Sequence, residues 1–302
     1  MSRTGRTAAA LAGLAVLGAA VFWRLSSPST VDPTLVPRRP PDLANGERMF
    51  RAGSCMACHG PAAGPSGDRR NLPSGGAPFR TPLGTFFPQN LTPDPETGLG
   101  KWSAGDFVNA MVGGVSPRGE HYFPAFPYTS YRLVRLEDLV DLFGFLRSLP
   151  AVRSPARPST VPMEALARRG VGLWKRFAGS DPPLQADPGT DASWRRGAYL
   201  VDGPGHCGEC HTPRDRLMVR DQRRYLAGGP HPAGEGEVPS LRGLVSRRRY
   251  KDVPDLVLAL RNGESLGYEK LSSGGMASIQ ESIALLPEDD VRAIAVYLAS
   301  LR

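Results

Sequence analysis

All four cysteines of the chain fall into two copies of one pattern, Cys55-Met56-Ala57-Cys58-His59 and Cys207-Gly208-Glu209-Cys210-His211. Two thiols three residues apart on a helical turn can each bond one vinyl group of the same porphyrin. The adjoining histidine then comes under the iron, so CxxCH is the attachment pattern of c-type haem. Other uses of paired cysteines fit worse. Zinc ribbons place their two CxxC pairs about 15–20 residues apart, whereas these lie 152 apart. A thioredoxin-like site needs a βαβ context, which the surrounding Gly/Pro-rich sequence does not offer. The expectation is therefore two covalently bound haem c groups, held by Cys55 and Cys58 and by Cys207 and Cys210. His59 and His211 are the expected proximal ligands.

The repeat extends beyond the two motifs. Before each runs a short helical pattern, Gly46–Phe50 in one half and Gly197–Val201 in the other. After each come a middle segment (Asp106–Gly114; Asp255–Gly263) and a closing amphipathic helix (Leu136–Leu149; Pro287–Leu301). Both closing helices carry acidic residues in the first turn, where the helix dipole favours them, and Pro287 is expected at the first helical position. This layout resembles the class I cytochrome c domain. The expected fold is all-α, with two tandem class I cytochrome c domains after an N-terminal transmembrane helix. The boundaries are 1–24 anchor or signal, 25–41 Pro-rich tether, 42–150 first domain, 151–190 connector and 191–302 second domain. Within the connector a short helix is expected over Met163–Phe177. The 35 Gly and 30 Pro agree with loops wrapped around a cofactor.

Export follows from the N-terminus. Arg3 and Arg6 precede the uncharged stretch Thr7–Trp23, which Arg24 closes. Seventeen helical residues span roughly 26 Å, slightly short of a hydrocarbon core of ~30 Å. Apolar residues continue past the small-residue site Gly18-Ala19-Ala20, which favours a retained anchor over a cleaved signal. The expected location is the bacterial inner membrane, with the haem domains in the periplasm. The formal charge of +8 sits largely in short arginine runs such as Ser246–Lys251. Solvated faces account for these, with docking to an acidic partner as the alternative, and no nucleic-acid module is recognisable.

Each iron also needs a sixth ligand. In the second half Met276, 65 residues after His211, lies in a Gly-rich stretch read as the distal loop. In the first half the equivalent position is Phe126, which cannot bind iron. His121 is the leading candidate there. Met111, whose repeat counterpart is Leu260, and an open or water-bound iron are the alternatives. His206 is read as a structural donor at the haem edge, and His231 as solvent-exposed.

Four stretches carry a family resemblance: Thr81–Thr85 (TPLGT), Asn90–Trp102 (NLTPDPETGLGKW), Gly119–Tyr131 (GEHYFPAFPYTSY) and Arg196–Pro213 (RGAYLVDGPGHCGECHTP). They resemble the membrane-anchored multihaem cytochrome c subunits that accompany bacterial alcohol and aldehyde dehydrogenases. Many of those have a third haem domain and a Pro-Ala-Met-Pro distal motif, where this chain has Pro124-Ala125-Phe126-Pro127. The resemblance implies single-electron transfer from a dehydrogenase or quinol-linked donor to a terminal oxidase or soluble cytochrome. By position Asn90 and Trp102 would be donors near the propionates of the first haem, or loop-packing residues. The alternative function is a haem enzyme whose open first iron acts on peroxide or a sulfur compound.

Overall fold

The computed structural model describes residues 2–61, 72–178, 191–234, 236–264 and 275–302. It opens with α1 (Arg3–Leu25), about 35 Å long at 1.5 Å per residue. Among the described residues this is the one helix long and apolar enough to cross a membrane, a test that a signal sequence also passes.

The first half comprises α2 (Leu43–Ala52), α3 (Cys55–His59), a hairpin of β1 (Phe79–Thr81) and β2 (Gly84–Phe86), α4 (Ala104–Val108), α5 (Tyr128–Tyr131) and α6 (Leu136–Ser148). The connector supplies α7 (Glu164–Ala178). The second half repeats the plan with α8 (Ala192–Asp202), α9 (Gly208–His211), β3 (Gly229–Pro230) paired with β4 (Glu237–Val238), α10 (Val253–Asn262), α11 (Gly275–Ala284) and α12 (Glu288–Ser300). The chain is helix-rich, as expected, with two small antiparallel ribbons beside the helices. One correction concerns Pro287, which is the N-cap of α12, one residue before the expected place. A second is α11 itself, which occupies what was read as a loop.

Two helix crossings organise the halves, α2 over α6 and α8 over α12, and each closes on a glycine. A Cβ on Gly46 would lie 2.2 Å from the Asp141 carbonyl oxygen, and one on Gly197 would lie 2.0 Å from that of Ala293. Only a residue without a side chain lets the backbones approach this far. Buried residues of both halves, among them Met49, Leu139, Leu146, Leu200, Leu256 and Val291, form one continuous core.

The described residues of the tether and the connector pack against the two halves. In the tether, the Val31 backbone N–H donates to Asn109 Oδ1 at 2.7 Å, and Arg39 pairs with Asp141 at 2.8 Å. The connector runs alongside the first hairpin, where Thr160 and Thr85 exchange two hydrogen bonds of 2.9 and 3.0 Å. Its helix α7 then braces the exit of α1. Arg176 Nε donates to the Leu25 carbonyl at 2.7 Å, and the Arg169 guanidinium lies 3.8 Å from the centre of the Trp23 ring. On another side Trp174 Nε1 donates to the Leu217 carbonyl of the second half at 2.7 Å.

A buried ionic cluster locks the halves together. Glu209, inside the second CxxCH, accepts from the hydroxyls of Thr129 and Ser130 on α5 at 2.6 and 2.7 Å. It also pairs with Arg214 at 2.5 Å and Arg220 at 3.3 Å. Burial alone would raise this carboxyl's pKa, but the two arginines and the two hydroxyls outweigh it and hold the value at about 2.

Two predictions follow from this packing. Gly197→Ala forces α8 and α12 apart and costs about 1–3 kcal/mol; an unchanged denaturation midpoint would contradict the crossing. Glu209→Gln removes the buried carboxylate that pairs with Arg214 and Arg220 and costs on the order of 3 kcal/mol at pH 7. Because the folded pKa is depressed, the carboxylate's contribution is complete above ~4.3, the unfolded glutamate value, and is lost as pH falls towards about 2. Denaturant titrations of both proteins between pH 7 and 3 should show the gap narrowing; a constant gap would mean the charge is irrelevant.

Candidate haem sites

Both CxxCH segments fold as a short helix entered through one left-handed residue. Ser54 (φ 46°) precedes Cys55, and His206 (φ 40°) precedes Cys207. The break lies after the end of the preceding helix and redirects the chain into the motif. All four cysteines are free thiols. Burial pushes Cys55 and Cys207 up to about 12 and Cys210 up to about 11, so the thiols are neutral.

The histidines are held by matching contacts. His59 Nδ1 lies 2.7 Å from the carbonyl oxygen of Gln89, and His211 Nδ1 lies 2.8 Å from that of Pro239. A carbonyl can only accept, so Nδ1 carries the proton in both rings and Nε2 keeps its lone pair for a metal. Burial lowers both pKa values, outweighing the carbonyl bonds and favouring the neutral imidazole that ligation requires. The loops close in the same way as well. Gly75 N and Gly228 N, at φ +75° and +74°, each donate to the carbonyl of the CxxCH histidine at 2.7 Å. Free paired thiols, a neutral imidazole of fixed tautomer and a wrapped Gly/Pro loop fit a covalently attached haem in each half.

The halves meet at these motifs. Pro204, from the turn before the second CxxCH, helps line the cavity beside Cys55. The His206 ring approaches the Gly53 carbonyl at 3.4 Å and meets Tyr131 edge-on at 5.5 Å. At Cys210 burial is the main cause of the raised pKa, followed by the Glu209 charge, with Cys58 of the first motif a smaller contributor. Ser54 Oγ reaches the Ile279 carbonyl of α11 at 3.5 Å.

Met276 is the second residue of α11 and is half-buried. It shares a helix face with Gln280 and Ile283, both buried, so this face looks inward. His121 is buried elsewhere. Its Nε2 lies 2.9 Å from the Ser26 carbonyl oxygen, its Nδ1 lies 3.1 Å from Lys175 Nζ, and its ring fills the notch at Gly172 of α7. With Nε2 donating and Nδ1 accepting, neither nitrogen in this arrangement is free for iron. Phe126 is packed among Tyr122, Tyr128 and Tyr131. Met111 is buried in the wide π-type turn Asn109–Gly113 that continues α4, and it lines the cavity beside Cys55.

Asn90 is fully used within the protein. Its Nδ2 donates to the Val152 carbonyl at 2.6 Å and to Thr97 Oγ1 at 3.2 Å, while Oδ1 accepts from Thr92 N. The specific NLTPD run is thus a clasp between this loop and the connector. Gly98 is obligatory there, because a Cβ would lie 2.1 Å from the Thr92 carbonyl oxygen. Trp102 packs against the core. His231 is partly buried, with Nδ1 accepting from Ala233 N at 3.1 Å, rather than solvent-exposed. Reading the sequence alone missed Glu209, although a carboxylate between two cysteines beside Arg214 and Arg220 was a visible charge signal.

No protein-family model matches the chain. It is 39% identical over 290 residues to a dihaem c-type cytochrome of Cereibacter sphaeroides, covering 96% of both chains. It is 34% identical to the gluconate 2-dehydrogenase cytochrome c subunit of Pantoea cypripedii, over 86% of this chain and 59% of that one. It is 33% identical to the cytochrome c subunit of an alcohol dehydrogenase (quinone) of Gluconacetobacter polyoxogenes, over 86% and 56% respectively. The chain thus spans rather more than half the length of these two dehydrogenase subunits. It belongs to the family of dihaem c-type cytochromes and dehydrogenase cytochrome c subunits, and carries two covalently bound haem c groups as an electron-transfer protein.

Proposed function

We propose that the chain is an exported, membrane-tethered relay built from two class I cytochrome c domains. It passes single electrons from a dehydrogenase or quinol-linked donor to a terminal oxidase or soluble cytochrome. Cys55 and Cys58 would hold the first haem with His59, and Cys207 and Cys210 the second with His211, while Met276 would be the further ligand of the second iron. The observation that carries this reading is the matched pair of imidazoles, each with Nδ1 tied to a backbone carbonyl and Nε2 left free.

Bound haem supplies the one-electron Fe(III)/Fe(II) couple. The polypeptide supplies everything around it. The carbonyl contacts of Gln89 and Pro239 fix the imidazole planes and raise their basicity. The buried core and the wrapped loops exclude water, and a thioether such as Met276 favours the reduced state and a higher potential. The two motifs meet at Pro204, His206 and Gly53, which would bring two bound haems near one another and suit transfer within the chain. Donors of the kinds named for the relatives, gluconate and alcohol dehydrogenases, are candidates, and α1 with its brace α7 would hold the relay at the membrane where a quinol or enzyme partner acts.

Haem content tests the assignment. The wild-type chain should carry two haems by intact mass, and the double variant Cys55→Ala/Cys58→Ala should carry one, with electron delivery from donor to acceptor largely abolished. Two covalent haems in the double variant would contradict it.

A further inference from the structure

We propose that the outer face of α7 lies on the membrane surface and binds the phosphate groups of anionic phospholipids, an inference that rests on α1 being retained as the membrane anchor. The exit of α1 sets the depth. Its last turn carries Trp23, whose amphipathic ring settles at the level of the lipid headgroups, and Arg24, a long basic side chain that reaches the same level from a helix end. Whatever packs on that turn sits at headgroup depth too. Helix α7 does so twice. The Arg169 guanidinium lies 3.8 Å from the centre of the Trp23 ring, and Arg176 Nε donates to the Leu25 carbonyl at 2.7 Å.

The residues of α7 suit that position. At 3.6 residues per turn, Leu166, Gly170 and Leu173 share one face, and Glu164, Arg168 and Lys175 share the opposite one. The second set turns inward. Glu164 pairs with Arg168, and Lys175 Nζ donates to the carbonyls of Gly113 and Gly114, both at 2.7 Å. The first set looks outward: Leu166 is 58% exposed, and Met163, just before the helix, is 77% exposed. Arg169 and Arg176 flank this face on the α1 side. Trp174 flanks it on the other, where its bond to the Leu217 carbonyl at 2.7 Å brings up a turn with Leu217 and Met218 exposed. Of the basic residues of α7, Arg168 alone has a carboxylate partner among the described residues. A guanidinium matches a phosphate through two parallel N–H bonds. An anionic bilayer therefore offers both partners at once, acyl chain for Leu166 and phosphate for the two arginines, at the depth that Trp23 fixes.

The test uses the full-length, haem-loaded chain in nanodiscs of phosphatidylglycerol or phosphatidylcholine, with a nitroxide on a single added cysteine. Collision with oxygen, which concentrates in hydrocarbon, against collision with a water-soluble nickel chelate reports depth. For Leu166→Cys the oxygen-to-nickel ratio in phosphatidylglycerol should be severalfold its value in phosphatidylcholine. Adding Arg169→Gln/Arg176→Gln should bring it down to the phosphatidylcholine value, whereas Arg169→Lys/Arg176→Lys, which keeps both charges, should preserve it. Equal ratios in the two lipids, or loss in both double variants, would overturn the proposal in favour of a purely structural brace. Dipolar broadening between the Leu166 labels of two chains would overturn it in favour of a second copy. A label at Leu14→Cys on α1 separates the two readings. With Leu14 shielded from nickel, a Leu166 label open to it overturns this proposal alone. A Leu14 label open to nickel, or an intact mass lacking residues 1–25, fails the anchor reading and this proposal with it.

Discussion

The hydrogen bond from a CxxCH imidazole to a backbone carbonyl is the contact on which the rest depends. It sets the tautomer, and the tautomer decides which nitrogen can face a metal. To make this bond, each chain segment must return some 30 residues after the histidine and lay a carbonyl against the ring: Gln89 for His59, Pro239 for His211. That return requires a loop able to turn sharply at Gly75 or Gly228 and to pin its far end. The first half pins it through Asn90 and Val152, the second through the bond from Leu241 N to the Leu226 carbonyl. The helix crossings behind the loops, closed on Gly46 and Gly197, give them a rigid floor.

The duplication is not exact, and its departures mark where the halves take different work. Glu209 has no acidic counterpart at Ala57, because only the second motif reaches across to Thr129 and Ser130. His206 takes the left-handed position that Ser54 holds in the first half, and its ring crosses to Gly53. Both departures fasten the second CxxCH segment to the first half. A relay gains from this, since transfer between two centres depends on a fixed separation and orientation, which buried charge-assisted contacts hold better than a flexible hinge.

Much of the architecture was legible in the sequence. The CxxCH pairs could be read because their chemistry is local, and the terminal helices because their apolar spacing is regular. The helix α11 was missed, since Gly275–Ala284 is short and begins in a run of small and polar residues that reads as loop. The role of His121 was also out of reach. Its partners Ser26 and Lys175 lie 95 and 54 residues away, on segments that read as a tether and a linker. Asn90 sits where a propionate donor was expected, yet its amide is consumed by loop closure, which residue type alone does not reveal.

Adjacency of the two haems is the central claim, and electron paramagnetic resonance of the fully oxidised protein tests it most directly. The spectrum of the two-haem chain should be compared with the sum of its two single-haem variants, Cys55→Ala/Cys58→Ala and Cys207→Ala/Cys210→Ala. Irons held next to each other should broaden and relax one another, so the native spectrum should depart from that sum. A native spectrum equal to the sum, with relaxation unchanged, would mean two magnetically isolated haems and would contradict the relay.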